Sequence, residues 1–211
     1  MGRSMNRLLT YVLTGCLALF VPQAAAAELT PPDKLVKDVT LEVLDIVSKD
    51  REIQAGNVQK VIGLVEEKVL PHFSFESMTA LAMGVHWRQT SPEQKQRLTQ
   101  EFRTLLVRTY ASAITTYRDE TFEFLPLRAK PTDTDVTVNV RVVRSGRQAV
   151  DLDYDMEKTP RGWKCYNVYV GGVSLVINYR TEFAAEVRKS GVDGLIGVLE
   201  KKNKQLAAGT S

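Results

Sequence analysis

The residue types able to do covalent or metal chemistry are few in this chain, and their spacing does not suit it. The only histidines, His72 and His86, lie on either side of an expected helix, with no His-x-x-x-His or cysteine spacing around either. A zinc-type site needs three or four converging nitrogen or sulfur donors, so no metal site is expected. Ser174 follows the Gly171-Gly172 pair but lacks a Gly-x-Ser-x-Gly context, and neither histidine is tied to it by sequence. Its plainer role is the N-cap of the helix that follows; the sharper reading is a small exported hydrolase using Ser174 or His72. Asp151, Asp153 and Asp155 share one face of an expected strand. Three aligned carboxylates can hold a cation or a basic partner, or simply form the solvated side of a sheet. Gly171-Gly172 lacks the spacing of a phosphate loop. No catalytic residue is assigned.

The elements that must position these residues are clearer. Ser91-Pro92-Glu93-Gln94 combines an N-cap, a proline at the first helical position and a capping-box partner. Apolar residues then recur at helical spacing: Leu98, Phe102, Leu105, Leu106, Tyr110, Ala113, Ile114 and Tyr117. Lys95, Arg97, Glu101, Arg103 and Arg108 occupy the other side, so the segment Pro92 to Tyr117 is a long amphipathic helix whose oily face needs a cover. Before it, an irregular stripe (Leu35, Val39, Leu44, Ile46, Val47) predicts one helix, and Asn57 caps a second that Pro71 stops. A third short helix holds Met78, Leu81, Ala82 and Met83 before Gly84.

From about Thr121 the period changes to two. Phe122 and Phe124 flank Glu123. Val136, Val138, Val140 and Val142 alternate with polar residues, and Val150, Leu152, Tyr154 and Met156 alternate with Asp151, Asp153, Asp155 and Glu157. Turns at Ser145-Gly146 and Thr159-Pro160-Arg161-Gly162, with a fourth strand over 163–170, predict an antiparallel meander with one wet and one oily face. Gly171-Gly172 ends the sheet in this reading. A helix carrying Leu175, Val176, Tyr179, Phe183 and Val187 follows, Gly191 breaks it, and a last helix ends in Lys201, Lys202 and Lys204. The fold class is α+β: a four-stranded antiparallel sheet packed against several helices, with an N-terminal helical lobe.

Composition narrows the class further. Arg3 and Arg7, the apolar run Leu8 to Phe20, and Ala25 and Ala27 at the −3 and −1 positions form a secretory signal with cleavage after Ala27. A rival reading takes Leu13-Thr14-Gly15-Cys16 as a lipoprotein signal, but apolar residues run on past Cys16 to Val21. Residues 28–211 then form one domain: a helical lobe over 28–90, and the long helix, sheet and C-terminal helices over 91–206. Without Arg3 and Arg7 there remain 26 basic and 25 acidic side chains, about +1 in net charge, which excludes a polybasic nucleic-acid binder. Cys165 is then the one remaining cysteine, so no intrachain disulfide forms. The positive signal is an excess of oily surface facing an oily sheet, which fills itself as a solid core or leaves a pocket.

Several ordered pieces resemble a known family. They are Val69-Leu-Pro-His-Phe-Ser-Phe75, Gly84 with Trp87-Arg88, Ser91-Pro-Glu-Gln94, Leu106-Val-Arg-Thr-Tyr110, Gly162-Trp-Lys164 and Gly172-Val-Ser-Leu-Val-Ile-Asn-Tyr-Arg-Thr-Glu-Phe183. Together, over about residues 33–206, they resemble the MlaC, or toluene-tolerance, family of periplasmic phospholipid-binding transport proteins. The chain departs from the family pattern at Ser74, where an aspartate is usual, and at Cys165 and Asn167, where valine and aspartate are frequent. The resemblance implies an NTF2-like (cystatin-like) core and a soluble periplasmic carrier with no cofactor beyond its lipid cargo. It implies glycerophospholipid as ligand, with acyl chains in a cavity and headgroup at the mouth. It implies as partners an outer-membrane lipoprotein–porin complex and an inner-membrane MCE protein with its ABC transporter, in maintaining outer-membrane lipid asymmetry.

The physics suits that role. Each buried methylene is worth about 0.8 kcal/mol, so two chains with roughly 30 methylenes carry about 24 kcal/mol of hydrophobic cost in water. The expected cavity wall, taken from the oily faces, is Phe75, Met78, Leu81, Phe102, Leu105, Leu106, Tyr110, Val138, Val140, Leu152, Tyr154, Val176, Tyr179 and Phe183. Arg180 is the candidate for the mouth or headgroup. The alternative is an exported, non-enzymatic adaptor module with a solid core that grips a protein partner through the Asp151–Asp155 face.

Overall fold

A computed structural model describes residues 29–114, 120–144, 146 and 148–209. The signal segment with Cys16 and Ala27, the helix end at Tyr117, and Ser145 of the first hairpin turn lie outside the described residues. Helix α1 (Pro32–Lys49) starts at a proline and leads to a single turn, α2 (Arg51–Gln54), capped by the Asp50 carboxylate. Asn57 Oδ1 accepts from the Lys60 N–H at 3.1 Å and opens α3 (Val58–Leu64). The chain then widens into a π-helical turn (Val65–Val69) and tightens into a 3₁₀ turn (Leu70–His72) around Pro71. Helix α4 (Phe75–Met83) ends at Gly84, whose φ of 55° suits a residue without a Cβ.

The reciprocal capping box of α5 (Pro92–Ile114) is formed: the Gln94 N–H donates to Ser91 Oγ (3.2 Å), and the Ser91 N–H donates to Gln94 Oε1 (3.1 Å). The sheet follows as β1 (Thr121–Phe124), β2 (Asp135–Val143), β3 (Val150–Thr159), β4 (Gly162–Val170) and β5 (Val173–Ser174), in that order and antiparallel throughout. The fifth strand departs from the four-strand expectation. Gly171 and Gly172 (φ 57° and 80°) do not end the sheet but turn it, since two successive positive φ angles make the tight hairpin that pairs Val170 with Val173. A register shift between Asp155 and Met156 sets Tyr166 out of the β3–β4 ladder.

Ser174 is not the N-cap expected of it: it ends β5, and Val176 takes the N-cap position with no side-chain cap bond. The Ser174 hydroxyl donates to Asn167 Oδ1 (2.7 Å) and accepts from the Val176 and Ile177 N–H groups at 3.2 and 2.9 Å. These bonds tie the end of β5 to a short 3₁₀ turn (Ile177–Tyr179) that runs into α6 (Arg180–Gly209), so Leu175 and Val176 precede the helix rather than lie on it. Gly191 (φ 73°) breaks α6 where expected.

Three apolar clusters hold these elements. One joins α4, α5 and α6 around Phe102 and Phe183, the second lies between the inner sheet face and Val36 of α1, and the third joins α1, α2 and α3 to Val107 and Ala111 of α5. The oily stripe of α5 therefore does not face the sheet along its whole length. Leu98, Phe102 and Leu105 turn to α4 and α6, while Val107 and Ala111, which the expected stripe did not include, turn to α3. A 3.6-residue period defines a stripe wide enough for several partners and does not name them.

Candidate functional site

Two apolar cavities open at the seam where the three clusters meet. The first, about 200 Å³, lies between α1 and the sheet. Its α1 wall is Leu35, Val36, Val39, Thr40, Val43 and Leu44, and its floor is Phe122, Leu152, Met156 and Cys165. The second, about 240 Å³, is enclosed by Leu106, Val107, Tyr110 and Ala111 of α5, Phe75 and Met78 of α4, Val65 and Leu70, and Val168 and Leu175 on the sheet side. Val69, Phe73, Ile114 and Tyr154 line both, so the two spaces share one partition.

That partition is pinned by backbone. Phe73 bridges Cys165 on β4, and the Ser74 N–H donates to the Cys165 carbonyl at 2.8 Å. The Phe73 and Phe75 rings stack 6.0 Å apart. The π turn brings Val65 and Val69 onto the cavity side, while Pro71 carries the chain over to the sheet. The side chains lining the first cavity carry polar groups only at Thr40, His72, the Tyr154 hydroxyl and the Cys165 thiol. Burial first, and the nearby Lys164 ammonium second, hold His72 below the ordinary imidazole range. Cys165 is 3% exposed, and burial pushes its thiol up to about 12, so it acts as an apolar floor and not as a nucleophile.

Of the fourteen wall residues expected from sequence, the structure brings six to the cavities: Phe75, Met78, Leu106, Tyr110, Leu152 and Tyr154. Phe102, Leu105, Val176 and Phe183 are sealed in the helical cluster, with Leu81 and Tyr179 packed against it. Phe102 meets Tyr179 and Phe183 edge to face, each with ring centroids 5.1 Å apart. Val138 and Val140 lie in the part of the sheet cluster that borders neither cavity, 2% and 1% exposed. Arg180 sits apart from both cavities. Its Nε and Nη2 donate to the Leu81 carbonyl at 3.1 and 2.7 Å, tying α6 to the end of α4. The α1 wall, Phe73 and Ile114 were not singled out from sequence. The irregular stripe of α1 was the available signal, because a stripe broader than one partner needs has a second surface to meet.

The three aligned aspartates each have a partner across the β2–β3 ladder. Arg141 Nε donates to Asp151 (2.8 Å), Asn139 Nδ2 to Asp153 (2.6 Å) and Thr137 Oγ1 to Asp155 (2.8 Å). The Arg141 guanidinium holds the Asp151 carboxyl below its ordinary range. These are cross-strand pairs of a solvated face, which removes the free carboxylates that the adaptor reading relied on. Among the described residues no group of three or more His, Cys, Asp or Glu side chains is placed to hold a metal ion, and no helix is long and apolar enough to cross a membrane. At the positions that depart from the family pattern the partners are local. Ser74 Oγ donates to Ser77 Oγ, which donates to Glu157, and Asn167 Nδ2 donates to Asp155 Oδ2.

Comparison with known proteins agrees with this geometry. The chain is 24% identical, over 208 residues, to the intermembrane phospholipid transport system binding protein MlaC of Haemophilus influenzae, covering 94% of this chain and 92% of that protein. It is 25% identical, over 192 residues, to the toluene tolerance protein ttg2D of Pseudomonas putida, covering 88% of each. Among solved structures it is similar to the phospholipid-binding protein from Ralstonia solanacearum in complex with a phospholipid, with a TM-score of 0.78 and 40% identity over 84% of this chain and 99% of that one. The family model described as MlaC protein matches residues 37–201, and the chain therefore belongs to the MlaC family.

Proposed function

We propose that this chain is a periplasmic carrier that takes the acyl chains of a glycerophospholipid into the two adjoining cavities and moves the lipid between the outer and inner membranes. The observation that carries the reading is the pair of apolar spaces divided by Val69, Phe73, Ile114 and Tyr154. A forked diacyl ligand suits two apolar spaces with one common partition, and apolar walls stabilise it by area rather than by chain identity. The Ralstonia solanacearum protein, solved with a phospholipid, supports the class of cargo. The carrier is non-catalytic and needs no metal or cofactor. Export through cleavage near Ala27 delivers it to the periplasm.

The wall residues assigned to lipid are those lining the cavities, with α1 added to the six expected from sequence. The partners we assign are the outer-membrane lipoprotein–porin complex as one terminus of transport, and the inner-membrane MCE protein with its ABC transporter as the other. Such a carrier holds lipid firmly enough to hide it from water and releases it only when a partner opens the site. Native mass spectrometry of protein purified without detergent, with solvent extraction and lipid identification, tests the proposal. A mass increment of a diacyl phospholipid is expected. A protein that stays at its apo mass after incubation with phospholipid vesicles would overturn it.

A further inference from the structure

A second concave surface lies where the turn after α4 meets α6, and it shares no residue with the lipid cavities. Arg88 lines it from the 3₁₀ turn Gly84–Gln89, while Arg180 and Arg188 line it from α6. Arg180, Ala184 and Arg188 recur every four residues, so they share one helix face, and the small Ala184 leaves the hollow between the two arginines. No carboxylate lines it. Arg180 is committed to the Leu81 carbonyl and lies beside Gly84, 3.6 Å from where a Cβ would stand. Arg88 and Arg188 are exposed, and neither has a hydrogen-bond or ion-pair partner among the described residues. Arg97, Arg103 and Arg141 are paired with carboxylates, whereas Arg51, Arg108, Arg128 and Arg161 also lack a side-chain partner among the described residues; Arg88 and Arg188 differ from these in lining one hollow together. Beside the unpaired pair stands Val85, 79% exposed, the most exposed large hydrophobic side chain among those described.

Like charges gathered without counter-ions contribute nothing to folding, and guanidinium forks match carboxylates two bonds at a time. An apolar side chain amid arginines is the composition of a protein interface core rather than of a solvated face. The surface is hollow, which suits a protruding segment and not a flat bilayer. We propose that this basic depression docks an acidic segment of a protein partner, its carboxylates on Arg88 and Arg188 and an apolar side chain on Val85. The inference rests on the carrier reading, and it adds that docking does not compete with cargo, because the lipid cavities lie elsewhere.

The test uses the full mature protein loaded with lipid, and the probe is a short fluorescein-labelled peptide of alternating Glu and Leu. Fluorescence anisotropy should show binding that weakens as salt rises. Arg88→Glu with Arg188→Glu should lower affinity by about tenfold or more, and Arg88→Lys with Arg188→Lys should keep part of it. Circular dichroism of these variants, together with Arg88→Gln with Arg188→Gln, controls for folding. Lipid occupancy by native mass spectrometry should be unchanged in all of them. Equal peptide affinity in wild type and the Glu variant would overturn the docking site. So would binding of phosphatidylglycerol vesicles or inorganic phosphate at this face with none of the peptide. Loss of lipid from the wild type would instead strike the carrier reading, while the peptide result would still decide the surface.

Discussion

The helical cluster around Phe102 and the seam around Tyr154 are made of the same kinds of residue, yet one is solid and the other hollow. Phe102, Leu105 and Phe183 are at most 1% exposed, and the Phe102 and Phe183 rings meet edge to face within a layer of three helices. Around Tyr154 and Phe73, a twisted sheet, a helix crossing it and a π turn meet, and cavities of about 200 and 240 Å³ remain. Helices fill one another's grooves through ridges of one repeat. A sheet and helices differ in curvature and side-chain period, so their junction closes imperfectly. An oily surface becomes a ligand site where its partners differ in geometry, not where it is oiliest.

The comparison is most sharply tested by charge. Val140→Glu buries a carboxylate at a 1% exposed position of the sheet cluster that borders neither cavity and should unfold the protein, seen as loss of the circular dichroism signal. Leu106→Glu points into a cavity and should leave a folded protein with reduced lipid occupancy. A folded, lipid-loaded Val140→Glu protein would break the division between solid and hollow regions. Next in size, Phe102→Ala should cost about 3–5 kcal/mol in denaturant unfolding while the folded fraction keeps its lipid. Val69→Phe should act in the opposite sense, filling the shared partition and lowering lipid occupancy with little loss of stability. Removing lipid should lower the melting temperature, since a ligand at 100 times its Kd stabilises by about 2.7 kcal/mol, and added vesicles should restore it.

Two smaller effects lie outside the cavities' apolar walls. Ser91→Ala removes the capping hydroxyl of α5 and should cost about 1 kcal/mol without changing lipid occupancy. His72, at the edge of the first cavity, is held below the ordinary imidazole range, so the unfolded chain binds its proton first as pH falls. Its contribution is present at neutral pH and should be lost as pH drops through the ordinary value near 6.5 toward the lower folded one. His72→Gln should flatten that part of the stability profile, a small change because the side chain is only partly buried.

The physical division between what sequence and tertiary structure determined runs through individual residues. Ser91 and Gln94 form their capping box, and Asp151, Asp153 and Asp155 form a solvated face, because each depends on neighbours along the chain or directly across a hairpin. Ser174 keeps its hydroxyl on the Val176 and Ile177 N–H groups for the same reason, although Val176 takes the N-cap position. Local patterning likewise determined the longer helices, the four longer strands and the breaks at Gly84 and Gly191, but not the single turn α2, which lies in the stretch Asp50 to Gly56 that reads as a break. The fifth strand was not legible, since two glycines serve equally to end a sheet or to turn it. Neither was the cavity set beyond the six residues already expected. Phe102 and Tyr110 lie on one stripe of α5, but one meets α6 and the other a void. Packing volume decides between those outcomes. It depends on the shapes of elements far apart in the chain, whereas sequence periodicity records only which side of each element must leave water.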